Sequence, residues 1–204
     1  MTHYFTNDNI ESNIKEILVK VKDKTFSFYT DNGVFSKRGL DFGSRSLIDT
    51  VLDLDIHGNI LDIGCGYGVI GIILSSFFHG NYDLVDVNKR AIHLAKMNVS
   101  KNKVVANVFY SDIYSGVLKK YDFIITNPPI RVGKDILYKF LFDAKDYLVP
   151  GGSLIFVINK DQGAKSVIKD LSLVGEVEVL NKNKGFFVIK CIFNWQIDWI
   201  VVII

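Results

Sequence analysis

An asparagine and two consecutive prolines occupy residues 127–129, inside the stretch IITNPPIRVGK (124–134). The β-branched run Ile124 to Thr126 predicts a buried strand. The prolines must end it, because neither a strand nor a helix absorbs two successive residues without an N–H. The chain has three prolines in all, and two of them are here, which makes this loop stiff. What the stiffness holds is a pair of acceptors: the side-chain oxygen of Asn127 and the carbonyl of Pro128, which Pro129 confines to extended geometry. A hydroxyl or thiol substrate would need a base to remove its proton. An exocyclic amino nitrogen needs its two N–H bonds held while its lone pair leaves a π-system, and two fixed acceptors do that. Their grip strengthens as positive charge grows on the nitrogen.

A second set of residues has the chemistry of a cofactor site. ILDIGCGYGVIGI (60–72) carries Asp62 and then glycines at 64, 66 and 68. Such a strand-to-helix turn needs positive φ or a missing Cβ where a ligand meets the backbone. The glycines follow G-x-G-x-G, whereas the dinucleotide fingerprint is G-x-G-x-x-G; counted from Gly64, its third glycine would fall on Val69. A cofactor without a pyrophosphate is favoured, and an NAD-dependent oxidoreductase is disfavoured. Asp86 follows 24 residues after Asp62, at the end of YDLVD. An acid at that strand tip can grip two ribose hydroxyls, each bond worth about 1.5–3 kcal/mol. Asp112, in YSDIY, adds a carboxylate after the next strand. Three successive strands thus each end in an acid, at the edge where open α/β sheets bind ligands.

Cations and one aromatic residue flank both sets. In FSKRGLDFGSR (35–45), Lys37, Arg38 and Arg45 can reach phosphates, and Phe42 can shield a cofactor or stack on a base. Arg131 and Lys134 follow the prolines directly and can clamp phosphates beside an extruded nucleotide. Lys182 and Lys184, in the last hairpin turn, are expected to be plain surface.

The elements that must position these residues follow from the pattern. KEILVKVKDKTFSFYTDNGVFS predicts two strands around the polar turn Lys22–Lys24, then a turn at Asp31-Asn32-Gly33, a hairpin able to cover one end of a sheet. A helix is expected over 44–54, with Ser44 near its N-terminus. From residue 59 strands and helices alternate: strands NILDIG, YDLVDVN, VVANVFYSD, YDFIIT and GGSLIFVIN, and helices GVIGIILSSFF, KRAIHLAKMNVSKN, one long amphipathic DILYKFLFDAKDYL and one across 161–173. EVEVLN and GFFVIKCIF close the chain as an antiparallel hairpin around 181–184. Alternation at these lengths argues for a mostly parallel α/β sheet with helices on both faces.

Composition narrows the class. At 204 residues, 49% hydrophobic and 23% charged, the chain is expected to be one folded domain: a β extension over 1–36, a catalytic core over 37–193 and a tail over 194–204. The formal net charge of +2 places any nucleic-acid contact in a local patch. Cys65 and Cys191 share no ligand spacing, and the four histidines form no metal motif, so no metal is expected. No run approaches the roughly 18 apolar residues of a membrane span and no signal peptide is visible; a cytoplasmic protein is expected. The apolar ending FNWQIDWIVVII (193–204) is given no function.

Taken in order, DIGCGYG, VDVN, SDIY and TNPPI resemble the class I S-adenosylmethionine-dependent methyltransferases over about residues 37–190. The resemblance implies a Rossmann-like, seven-stranded sheet ending in an antiparallel hairpin. It also implies that the turn Gly64–Gly68, Cys65 included, cradles the methionine part of the cofactor with Asp62 beneath. Asp86 and Val87 would then lie at the ribose, Asn88 near the adenine, Asp112 and Ile113 at the adenine ring and its amino group, and Asn127 between cofactor and substrate. Ile130 stands where an aromatic residue often stacks on the target ring, which moves the expected target from adenine toward guanine. NPPIRVGK, the leading HYF (3–5) and DNGVFSKRGLDFGSR (31–45) are similar to a small, single-domain branch of the 16S ribosomal RNA guanine-N2 methyltransferases. Larger relatives there carry a further, degenerate domain ahead of the catalytic one. The resemblance implies ribosomal RNA or the small subunit as partner and a monomer or weak homodimer. A protein glutamine-amide methyltransferase and a non-catalytic RNA-binding factor on the same fold are the alternatives.

Overall fold

The structure, a computed structural model, describes residues 11–34, 39–129 and 133–195. Strands β1 (Lys15–Val21) and β2 (Lys24–Thr30) pair antiparallel around Lys22-Asp23, with Lys22 at positive φ. This hairpin is a separate two-stranded sheet, and it packs on a helix rather than over a sheet end. Val19, Val21, Phe26 and Phe28 are its buried face, and a helix answers its free edge. Asn98 and Asn102, one turn apart on α3 (Lys89–Lys101) and its C-cap, bond the backbone of Tyr29 and Ser27 as a neighbouring strand would.

The main sheet has seven strands in the order β5-β4-β3-β6-β7-β9-β8. They are β3 (Asn59–Ile63), β4 (Asn81–Asp86), β5 (Asn107–Tyr110), β6 (Tyr121–Thr126), β7 (Leu148–Asn159), β8 (Gly175–Asn183) and β9 (Phe186–Phe193). All pairings are parallel except those of β9 with β7 and β8. The inner strands are continuous apolar runs because both faces are covered. Ile60, Ile125, Ile155, Val157 and Val188 pack with α1 (Phe42–Val51), α2 (Val69–Ser75), α3 and the hairpin. Their alternates Leu61, Ile124, Leu154, Phe156 and Ile189 pack with α4 (Lys134–Phe142), α5 (Ala144–Tyr147) and α6 (Ala164–Leu171).

Several expected boundaries move. The first helix starts at Phe42, because Asp41 is its cap: the Asp41 carboxylate accepts from the Ser44 N–H at 3.0 Å. The single long helix after the prolines is two, α4 and α5. The helix across 161–173 is a short 3-10 turn (Lys160–Gln162) and then α6, separated by Gly163 at φ +88°. The closing turn is Lys184-Gly185, both at positive φ, the geometry that matches strand twist in two-residue hairpins.

Candidate active site

The sheet reverses direction at β3: the chain runs outward through β4 and β5, then returns to place β6 on the other side of β3. Ligands bind in open α/β sheets at the carboxyl ends of the strands flanking such a switch. The glycine turn follows β3 and the Asn-Pro-Pro loop follows β6, so topology puts both sets of chemical residues at one crevice. A hydrogen bond from the Thr126 hydroxyl to the Ile63 carbonyl, 2.7 Å, ties the two loops together.

On the glycine side, Gly64, Gly66 and Gly68 all have positive φ. A Cβ on Gly68 would strike Ile72, Ala95 and Leu84, so that glycine serves packing, while a Cβ on Gly66 would meet nothing within 4 Å. The turn is therefore open on its Gly66 side. The N–H groups of Gly64 and Cys65 both donate to the Val85 carbonyl at 2.9 Å, and burial pushes the Cys65 thiol far up. Asp62 does not line the crevice as its strand-end position suggested. It is buried within β3, one oxygen accepting from the Gly71 N–H at 2.8 Å and the other without a partner. Burial pushes its carboxyl up to about 7. Its bond ties the end of β3 to α2, the helix that follows the glycine turn.

Asp86 ends β4 with its oxygens turned to two backbone donors, the Gly66 N–H at 2.9 Å and the Asn88 N–H at 2.7 Å; Val87 N–H also faces it. Burial raises this carboxyl, opposed by those bonds. A carboxylate oxygen has more than one lone-pair site, so acceptor capacity is left for hydroxyls. Asn88 is committed to capping: its side-chain oxygen accepts from Arg90 and Ala91 N–H, and its NH2 donates to the Gly33 carbonyl. Asp112 is exposed after β5, and Ile113 is held at φ +50°.

Across the crevice Asn127 is pinned. Its NH2 donates to the Ser44 hydroxyl at 2.9 Å and approaches the Asp41 carboxylate at 3.4 Å. Both NH2 partners come from the start of α1, so the amide oxygen is the end turned away from them, and among the described residues nothing donates to it. Pro128 is buried and Pro129 half-buried. Both line a cavity of about 390 Å³ with Lys134, Leu137, Tyr138 and Ser166, and the Lys134 ammonium lies 4.7 Å from the Tyr138 ring centre.

The rim is only partly as expected. Lys37, Arg38, Ile130 and Arg131 lie outside the described residues, as do HYF (3–5) and residues 196–204. Arg45 is held by Asp49 at 2.7 Å and by the Lys20 carbonyl at 2.7 Å, so the structure gives it internal partners in place of a phosphate. Phe42 follows the Asp41 cap at the start of α1 and meets the closing hairpin. Phe186 lies 5.4 Å from it, centre to centre, and Lys184 lies 5.1 Å from its ring. The antiparallel β9 returns its first residue, Phe186, to the carboxyl edge of β7; Lys182 and Lys184 are exposed, and Lys184 lies over Phe42. No cluster able to hold a metal occurs among the described residues, and no described helix is long and apolar enough to cross a membrane.

The sequence profile of the methyltransferase small domain matches residues 25–190. The chain belongs to that family. Its seven-stranded sheet is the class I methyltransferase fold. A Bacillus subtilis (strain 168) protein, uncharacterized protein YbxB, is 40% identical over 194 residues, covering 92% of this chain and 96% of its own. Ribosomal RNA small subunit methyltransferase C of Pasteurella multocida (strain Pm70) is 38% identical over 136 residues, covering 64% of this chain. The alignment takes in only 41% of that relative's length. Among solved structures, the T. thermophilus 16S rRNA N2 G1207 methyltransferase, in complex with AdoMet and guanosine, superposes with a TM-score of 0.80 at 22% identity. It covers 89% of this chain and 51% of its own, a likeness of fold.

Proposed function

We propose that this methyltransferase transfers a methyl group from S-adenosylmethionine to the exocyclic N2 amino group of a guanine in small-subunit ribosomal RNA. The observation that carries the reading is the Asn127 amide, whose NH2 is held by Ser44 and Asp41 at the start of α1 so that its oxygen faces away from them, with Pro128 next in the chain. The relatives named as small-subunit ribosomal RNA methyltransferases support the substrate.

The residues fit the cofactor. The Gly64–Gly68 turn is open at Gly66, Asp86 keeps acceptor capacity at the tip of β4, and Asp112 stands at the next strand end. When bound, the cofactor supplies an electrophilic methyl on a sulfonium. Asn127 and Pro128 hold the two N–H bonds of the amine so that its lone pair lies in line with that methyl. Alignment of this kind supplies roughly 7–11 kcal/mol in well-oriented systems. On taking the methyl, with the cofactor leaving as a thioether, the nitrogen would gain positive charge and both acceptors would hold it more strongly; the surplus proton would leave to water. Pro129, Lys134 and the cavity beyond them receive the adjoining RNA, with Phe42, Phe186 and Lys184 on the opposite side of Asn127.

The test is transfer of tritiated methyl from S-adenosylmethionine onto small subunits and purified ribosomal RNA from a strain lacking this protein, followed by nucleoside analysis. Label in N2-methylguanosine is expected. Label in protein glutamine would move the same acceptors to an amide substrate. Full retention of N2-methylguanosine at every small-subunit position in the deletion strain would sink the reading.

A further inference from the structure

The cap of α1 does more than start a helix. Asp41 accepts from the Ser44 N–H through Oδ1, and that same oxygen lies 3.4 Å from the Asn127 NH2. The Ser44 hydroxyl accepts from that NH2 at 2.9 Å. Oδ2 of Asp41 is buried and has no partner among the described residues. An N-cap needs one oxygen, and Asn, Ser or Thr supplies it about as well as Asp without a charge. A buried carboxylate oxygen left unsatisfied is costly, and an exception of this kind in a folded protein calls for a reason. Gly43 keeps the surroundings tight: a Cβ there would come within 3.1 Å of the Phe186 ring and 3.2 Å of Asp41 Oδ1. The Phe186 ring and Asp41 Oδ1 thus flank Gly43, and the buried Oδ2 is shielded from solvent, where its field is less screened than in water.

We infer that Asp41 and Ser44 are a positioning pair for Asn127: together they fix which end of the amide faces the substrate, Ser44 by the shorter bond and Asp41 as an acceptor that cannot donate, and the Asp41 charge polarises that amide so that its oxygen holds a developing cation more strongly. The inference rests on the proposed reaction, because only an amine gaining positive charge benefits from a negative charge behind its acceptor. Neither side chain touches the substrate. Without Ser44 the amide can turn its NH2 toward the amine, where donor faces donor. Without the charge on Asp41 the amide keeps its orientation and loses its polarisation. The two effects are separable.

Three variants test this: Ser44→Ala, Asp41→Asn and Asp41→Ser. Both replacements at 41 keep a competent cap, and Asp41→Asn also keeps an acceptor for the Asn127 NH2. Each variant is expected to lower kcat by about tenfold or more, below the 10²–10³ lost with a direct electrostatic contact. Dissociation constants for S-adenosylmethionine should stay within about twofold and melting temperatures nearly unchanged, since both replacements at position 41 keep the cap. A purely structural cap would show the opposite: unchanged kcat per folded molecule and a lowered melting temperature. A second readout needs no turnover. The Asn127 side-chain NH2 signals in 15N spectra should shift and exchange faster with solvent in Ser44→Ala. If those signals and kcat both match the wild type, the inference is overturned. If the wild type methylates no guanine while Ser44→Ala still frees the amide, the pinning stands, the proposed reaction fails, and with it the role of the charge.

Discussion

Single residues divide the site into a half that holds and a half that transfers. Asn127→Ala removes one of two acceptors on the amine and nothing from the glycine turn. Its kcat should fall by roughly 10²-fold or more, with cofactor affinity changed less than threefold by calorimetry. Asp86→Ala should do the reverse, weakening S-adenosylmethionine at least tenfold and lowering kcat little at saturating cofactor; equal effects of both would contradict the division. Asp62 makes a third residue-scale prediction, one of pH. Burial raises its carboxyl from 3.8 to about 7, so the folded state favours the protonated form. That contribution is fully present below about pH 4 and is lost as pH rises through about 7. Asp62→Asn can still accept from the Gly71 N–H, so its stability relative to the wild type should climb across this window in urea titrations. A constant difference from pH 4 to 8 would refute it. The acids and Asn-Pro-Pro were legible in the sequence because their types announce their chemistry. Asp62 at the crevice was misread because alternation along a strand gives the face of a side chain and not its depth. Asp41 was missed because a capping aspartate looks the same whether it serves a helix alone or a neighbouring amide.

At the scale of elements, strand cores were readable and their ends were not. Five β-rich runs predicted the parallel strands, since the inner ones are apolar on both faces and the edge strand β5 still carries Val108 and Phe109. The helix ends depended on Asp41, which starts α1 two residues early, and on Gly163, whose left-handed backbone separates the 3-10 turn from α6. Placement of the N-terminal hairpin was beyond local pattern, because what seats it is a pair of asparagines distant in sequence. Asn98 is wholly buried and bonds the Tyr29 N–H at 2.7 Å, the Tyr29 carbonyl at 3.0 Å and the Tyr67 carbonyl at 2.9 Å. It joins the hairpin, α3 and the glycine turn at one point. Asn98→Ala leaves the Tyr29 N–H and carbonyl and the Tyr67 carbonyl without that partner and should cost about 3 kcal/mol in chemical denaturation. Because Tyr67 lies within the turn, cofactor affinity should fall as well. Asn102→Ala, which serves only Ser27 and its own helix, should lower stability alone. Loss of cofactor affinity in both variants, or in neither, would show that the hairpin's seat and the turn are not coupled through Asn98.

The whole molecule is two cores back to back on one sheet, and the proposed function gives each core one partner. The α1–α3 side carries the glycine turn and Asp86, whereas the α4–α6 side carries the cavity behind the prolines. The Asn-Pro-Pro loop lies where the two meet, fixed to the first by Thr126 and Ser44 and forming a wall of the second with Pro128 and Pro129. A cofactor and a long polymer can then approach from different directions and meet only at the amine. Filling the cavity from its far wall should therefore disturb one partner and spare the other. Ser166, exposed on α6, points the test: Ser166→Trp should raise KM for ribosomal RNA at least fivefold while S-adenosylmethionine affinity and kcat at saturating RNA stay within twofold. The tryptophan occupies space that the adjoining RNA needs, about 390 Å³ in all, without touching Asn127 or the glycine turn. An unchanged KM would mean that the RNA lies wholly on the Phe42, Phe186 and Lys184 side. A collapse of kcat with RNA affinity intact would mean that α6 sets the Pro128 carbonyl itself, making the cavity a support for the acceptors instead of a seat for the substrate.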